Sequence, residues 1–147
     1  MNTNRDTFAD GFVHVAGLAF SLPATAVLLH STQDTPLLFL ATAVYCASMV
    51  TAFGASLLYH LSPVARFEAV LGRIDHAAIY LKIAGTYTPF VVLIGSALAY
   101  TLLAVVWLIA LIGVVAKLRG WAADARGSLA LYLGMGWLSV LLVVPMW

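Results

Sequence analysis

Charge is scarce in this chain. Only 9% of its 147 residues are Asp, Glu, Lys or Arg, against about a quarter in a soluble domain. So few charged groups cannot clothe a water-facing surface, so no separate soluble domain is expected. The charges also nearly cancel: seven basic and six acidic residues leave a formal net charge of +1. That excludes an electrostatic case for nucleic acid. There is one cysteine, Cys46, within an apolar run. A single thiol makes neither an internal disulfide nor a thiolate metal site, and Cys46 reads as a packing residue. No internal repeat and no low-complexity segment is present, which excludes a solenoid or a repeat array.

What remains is apolar. Hydrophobic residues make up 63% of the chain, and the mean hydropathy is +1.02. A spanning helix needs about 20 mostly apolar residues. Five segments meet that length, at about 11–29, 37–59, 77–94, 97–116 and 128–147. The expected fold is all-α, a single polytopic transmembrane helical bundle. Its punctuation fits: Asp10 precedes the first segment, Thr35-Pro36 opens the second, Gly95-Ser96 separates the third and fourth, and Gly127-Ser128 opens the fifth. Arg5 and the Pro23-Ala24-Thr25-Ala26 stretch give the first segment a superficial likeness to a signal peptide. Asp6, Asp10 and His14 interrupt that pattern, and the segment is expected to remain as a helix.

The loops set an orientation. Arg5, Arg66, Arg73, Lys117, Arg119 and Arg126 all fall on one side of the five-span topology, and no Lys or Arg falls on the other. The positive-inside rule then puts the N-terminus in the cytoplasm. The connector from 61 to 74 has two readings. Val64, Phe67, Leu71 and Ile74 recur at helical spacing with Arg66, Glu68 and Arg73 between them, which suits a short interfacial helix. An irregular link is the alternative.

With this orientation the polar residues converge at one depth. Asp10 and His14 lie four apart at the inner end of the first helix, and Ser56 and His60 four apart at the inner end of the second. Asp75 and His76 begin the third. Ser48, Ala52, Ser56 and His60 form a small-polar stripe that lets helices approach closely in lipid. Lys82, a charge inside a membrane helix and so a functional candidate, can lean back towards Asp75 or snorkel to the surface. Each residue also has a structural reading. Asp10 and Asp75 suit helix N-caps, and His14 suits an interfacial histidine. Lys82 suits a snorkelling anchor, and Gly85 and Pro89 suit packing and kink positions. A haem held between His14 and His60 is a weaker option.

Three strings carry a resemblance. Ser56-Leu-Leu-Tyr-His60, then Asp75, then Ile-Ala-Gly-Thr-Tyr-Thr-Pro-Phe at 83–90 resemble the signature of the hemolysin III family, which belongs with the progestin and adiponectin receptors. Asp10 with His14 resembles the family's Asn-x-x-x-His in helix one, with Asp in place of Asn. The acid the family has just upstream is not cleanly matched, since Thr7 stands there with Asp6 beside it. Gly136-Trp137 also fits. The resemblance covers the whole chain and implies a seven-helix fold with an inside N-terminus, of which five helices are present here.

The resemblance further implies zinc near the cytoplasmic side. His60 would be a zinc ligand, with Asp75 and Ser56 close to the metal-bound water in catalytic or supporting roles. Asp10, His14 and Lys82 are further polar candidates. The implied activities are zinc-dependent hydrolysis of a lipid amide or membrane-lipid homeostasis, with membrane lipids as partners. A pore, which would need homo-oligomerisation, and a non-enzymatic membrane sensor are the alternatives. One departure stands out. No two of the four histidines are four apart, so the His-x-x-x-His pair of the family's helix seven is missing. A truncated or naturally short form is expected, with its zinc site incomplete. A substitute set of His14, His60 and Asp75 is open on spacing, but the family does not use it.

Overall fold

A computed structural model describes the backbone of residues 3–62, 65–121 and 129–137, and the side chains of 11–62, 66–121 and 129–137. Four long helices follow one another: α1 Thr3–Thr32, α2 Pro36–Leu61, α3 Ala65–Ile94 and α4 Ala97–Leu118. Residues 129–137 are helical as well. All four long helices contain a stretch long and apolar enough to cross a membrane. The chain is therefore an all-α, multi-pass membrane protein.

The helix ends follow local chemistry. Thr35 is extended at the α2 N-cap with Pro36 in the first turn, where the missing N–H costs nothing. Gly95, at φ +66, ends α3 by donating its N–H to Val91 O at 2.9 Å. Ser96 then caps α4, its Oγ accepting from the Ala99 N–H at 3.2 Å. Two residues thus reverse the chain between α3 and α4. At the far end of α4, Gly120 takes φ +72. Gly120 N–H donates to Lys117 O at 3.0 Å, and Trp121 N–H to Ala116 O at 2.9 Å. These are the paired bonds of a Schellman cap, which needs a residue at ease with positive φ.

Chain neighbours pack on one another: α1 on α2, α2 on α3 and α3 on α4. Small residues allow the close approaches. Ser48 of α2 occupies the space a side chain at Gly85 of α3 would need, and a Cβ on Gly113 of α4 would lie 2.6 Å from the Tyr80 ring. The core lies between α3, α4 and residues 129–137, built on Tyr80, Ala84, Tyr87, Val91, Val106 and Met135. Large apolar residues such as Phe20, Leu40, Leu93 and Leu108 are exposed on the outward faces, as lipid contact requires.

The connector 61–74 differs from both sequence readings. α3 begins at Ala65 and runs without interruption to Ile94, about 45 Å at 1.5 Å per residue. Arg66, Glu68 and Arg73 are exposed along its first turns. This helix exceeds the ~30 Å hydrocarbon core, so its charged end can stand in the polar boundary.

Candidate functional site

The site grows from the spacing of four in α1 and α2. His14 is half-buried on α1, and Ser56 is buried on the facing side of α2. Ser56 Oγ and His14 Nε2 are hydrogen-bonded at 3.0 Å. His60, one turn along α2 from Ser56, stacks on His14 with ring centroids 5.2 Å apart and planes 17° from parallel. Tyr59 meets the His60 ring edge-on at 5.0 Å. The Tyr59 ring also covers Gly72 of α3, where a Cβ would lie 3.1 Å from it. One hydroxyl and two imidazoles therefore join α1 to α2, with Tyr59 linking the group to α3.

The small-polar stripe of α2 divides between two neighbours. Each step of four residues turns about 40° beyond a full circle, so Ser48 and Ser56 face in different directions. Ser48 meets Gly85 on α3, and Ser56 meets His14 on α1. His14 Nδ1 is buried without a hydrogen-bond partner among the described residues. Ser56 can donate to Nε2 or accept from it, so the pair accommodates either tautomer. Each tautomer leaves one polar ring atom unmatched at Nδ1.

The remaining candidates stand apart from this cluster. Asp75 is half-buried and His76 exposed on α3. The contacts Ser48–Gly85 and Tyr59–Gly72 fix the antiparallel register of α2 and α3 and put Ser56 level with Asp75 and His76. His76 contributes its backbone carbonyl, which accepts from Tyr132 Oη at 3.0 Å. Lys82 does not turn to Asp75; its Nζ lies 4.8 Å over the Phe53 ring. The side chain of Asp10 lies outside the described residues.

Zinc is not matched by what is described. Among the described residues no group of three His, Cys, Asp or Glu side chains is placed to hold a metal ion, so the set of His14, His60 and Asp75 does not assemble. An imidazole ligates through an in-plane lone pair, and two rings stacked face to face cannot aim those lone pairs at one small ion. The same stacking leaves no space for a haem between them.

Sequence reasoning missed three tyrosines. Tyr87 Oη donates to Met135 O and is 3.3 Å from Gly136 O, and Tyr132 Oη reaches back to His76 O. Tyr80, fully buried, packs its ring 4.6 Å from that of Tyr132. These contacts fasten residues 129–137 to α3. Tyr87 in the 75–90 stretch was the available signal, because a buried Tyr hydroxyl usually finds a partner, whereas Tyr80 Oη has none among the described residues.

A family model described as Haemolysin-III related matches residues 2–147. The chain is 33% identical over 146 residues to Hemolysin-3 of Bacillus cereus, covering 97% of this chain and 67% of that protein. It is 34% identical over 152 residues to the Hemolysin-3 homolog of Bacillus subtilis (strain 168), covering 100% of this chain and 70% of that protein. No solved structure matches significantly.

Proposed function

The chain belongs to the haemolysin-III related family, and from that premise we propose that it carries the polar site of a membrane-lipid protein at the cytoplasmic end of its helices. The observation that supports this most is the contact of His14, Ser56 and His60 across α1 and α2. A buried hydroxyl bonded to an imidazole, with a second imidazole stacked on it, is costly in an apolar helix pair unless it serves a purpose. The N-terminus is cytoplasmic in this reading, and the membrane is the bacterial inner membrane.

The chemistry proposed for the whole family fold is hydrolysis of a lipid amide or maintenance of bilayer composition, in a seven-helix bundle that binds zinc. His60 would supply one ligand; no two of the four histidines in this sequence are four apart, so the reading leaves the rest of the ligand set unassigned in this chain. Ser56 would orient a polar group of the lipid through its hydroxyl, and Asp75, level with it across α3, would accept or return a proton. Zinc analysis of the purified protein tests this. The reading expects zinc that disappears in His60→Ala, and hydrolysis that disappears in Asp75→Asn with zinc retained. Protein that holds no zinc and cleaves no lipid amide would leave the polar cluster in a structural or sensing role.

The name of the Bacillus cereus relative, Hemolysin-3, favours a second reading, a pore. Four helices with apolar outward faces make a poor channel singly, so that reading requires a homo-oligomer. Dye release from liposomes at defined protein-to-lipid ratios tests it, and intact liposomes with well-folded protein present would sink it.

A further inference from the structure

Lys82 is a charge in the apolar part of a membrane helix. α3 ends at Ile94, twelve residues on, which is about 18 Å at 1.5 Å per residue. The hydrocarbon core is ~30 Å thick, so the Lys82 backbone is well inside it. The side chain is nevertheless exposed on the helix surface. Its Nζ stands 4.8 Å from the centroid of the Phe53 ring. Among the described residues no carboxylate lies within ion-pair distance of it.

The register of α2 against α3 shows where that ammonium is held. Between the Ser48–Gly85 and Tyr59–Gly72 contacts, Phe53 falls level with Ile79. The lysine has therefore leaned about a turn towards the α3 N-terminus, the direction its Cα–Cβ bond favours. With Ile94 at one hydrocarbon boundary, the ammonium is about 8 Å inside the other. Phe53 is itself held in place, because its ring lies where a side chain at Gly17 of α1 would be, 2.7 Å from an added Cβ. The ring face offsets part of the cost of the charge, and no described group supplies the rest.

Below the ammonium the same line of α3 is apolar. Thr86 is one turn on, and its hydroxyl is turned inward to Lys82 O at 2.8 Å. Leu93, eleven residues on and within about 20° of Lys82 around the helix, is 67% exposed. A cation near the boundary above an apolar track has the layout of an anionic head above an acyl chain.

We propose that Lys82, exposed on α3 over the Phe53 ring, is an intramembrane contact for the phosphodiester of an anionic phospholipid whose acyl chain lies along Thr86 and Leu93. The phosphodiester is favoured over a carboxylate by acid strength. A carboxylate drawn below the boundary is desolvated, which raises its pKa and offsets what the ammonium gains by holding it charged. A phosphodiester is a far stronger acid and stays charged.

The test uses the full chain in phosphatidylcholine bilayers with trace spin-labelled phosphatidylglycerol, phosphatidylcholine or fatty acid. Wild type is expected to favour phosphatidylglycerol at its surface over Lys82→Met by about fivefold, the factor one cation contributes near an anionic surface. Lys82→Arg should keep the preference, which also controls for folding. Equal selectivity in wild type and Lys82→Met overturns the proposal. So does selection of the fatty acid in place of phosphatidylglycerol. A third overturning result is a changed oligomeric state in Lys82→Met with lipid selectivity intact, which would assign the partner to a carboxylate on a second copy.

Discussion

The imidazoles of His14 and His60 lie face to face across α1 and α2, 5.2 Å between centroids and 17° from parallel. Ser56, one turn before His60, bonds the edge of the same His14 ring at 3.0 Å. His14 is therefore held by one hydroxyl and one ring from a single neighbouring helix, and the coupling between these side chains is measurable.

Ser56→Ala and His14→Ala should each lower stability by about 1 kcal/mol, the usual net worth of such a hydrogen bond. The double variant should lose less than the sum, because both remove one interaction. Thermal unfolding in detergent of the four proteins of this cycle reads the coupling. Strict additivity would show that the bond contributes nothing.

Enlarging Gly85 should separate α2 from α3. Ser48 Oγ stands where the new side chain would be, with Val44 O 3.5 Å from the added Cβ. Gly85→Val is expected to cost about 1–3 kcal/mol as an overpacked contact. Ser48→Gly in the same chain should recover part of that loss, since it removes the atom in the way. Melting temperatures of the single and double variants check both outcomes.

Tyr87→Phe removes the hydroxyl that bonds Met135 O and Gly136 O, and Tyr132→Phe removes the bond to His76 O. Each should cost about 0.6 kcal/mol, a typical value between membrane helices. The effect should be local. Hydrogen exchange is expected to rise at 129–137 and to stay unchanged in α1 and α2. A uniform rise across all helices would contradict the assignment of these bonds as tethers.

Gly120→Ala should weaken the end of α4 by about 1 kcal/mol, because φ +72 is strained for a residue with a Cβ. The Arg73 guanidinium also lies 3.4 Å from the position that Cβ would take. Amide exchange at Arg119 and Trp121 is the sensitive measure. Gly113→Ala, where the Tyr80 ring is only 2.6 Å from the added Cβ, should instead disturb the core between α3 and α4.

Much of this was legible in the residues, because lipid imposes strong rules. The apolar runs announce spanning helices, Thr35-Pro36 marks a helix start, and Gly95-Ser96 marks a reversal; the cap geometries of α2 and α4 follow from those residue types. The spacing of four in His14 and in Ser56 with His60 pointed to one depth, and these three side chains meet. The start of α3 was less legible. Arg66, Glu68 and Arg73 break the apolar pattern, but a helix longer than the bilayer can carry its charges beyond the core. The partners of the tyrosine tethers were not legible, since those of Tyr87 and Tyr132 are some fifty positions away along the chain. Nor was the ring stacking of His14 on His60, because spacing fixes height along a helix but not the roll of one helix against another.

That roll gives the packing order of the helices a mechanical meaning. α1 leans chiefly on α2, so His14 is held mainly from that one helix. Ser56 and His60 ride on α2 and turn together. A 20° turn of α2 about its own axis would carry the His60 ring sideways by about 2 Å, given side chains standing 5–6 Å from the axis. The face-to-face overlap would slip, and the bond from Ser56 would lengthen in the same movement. The stacked rings and the Ser56 bond therefore fix together how α2 is rolled against α1.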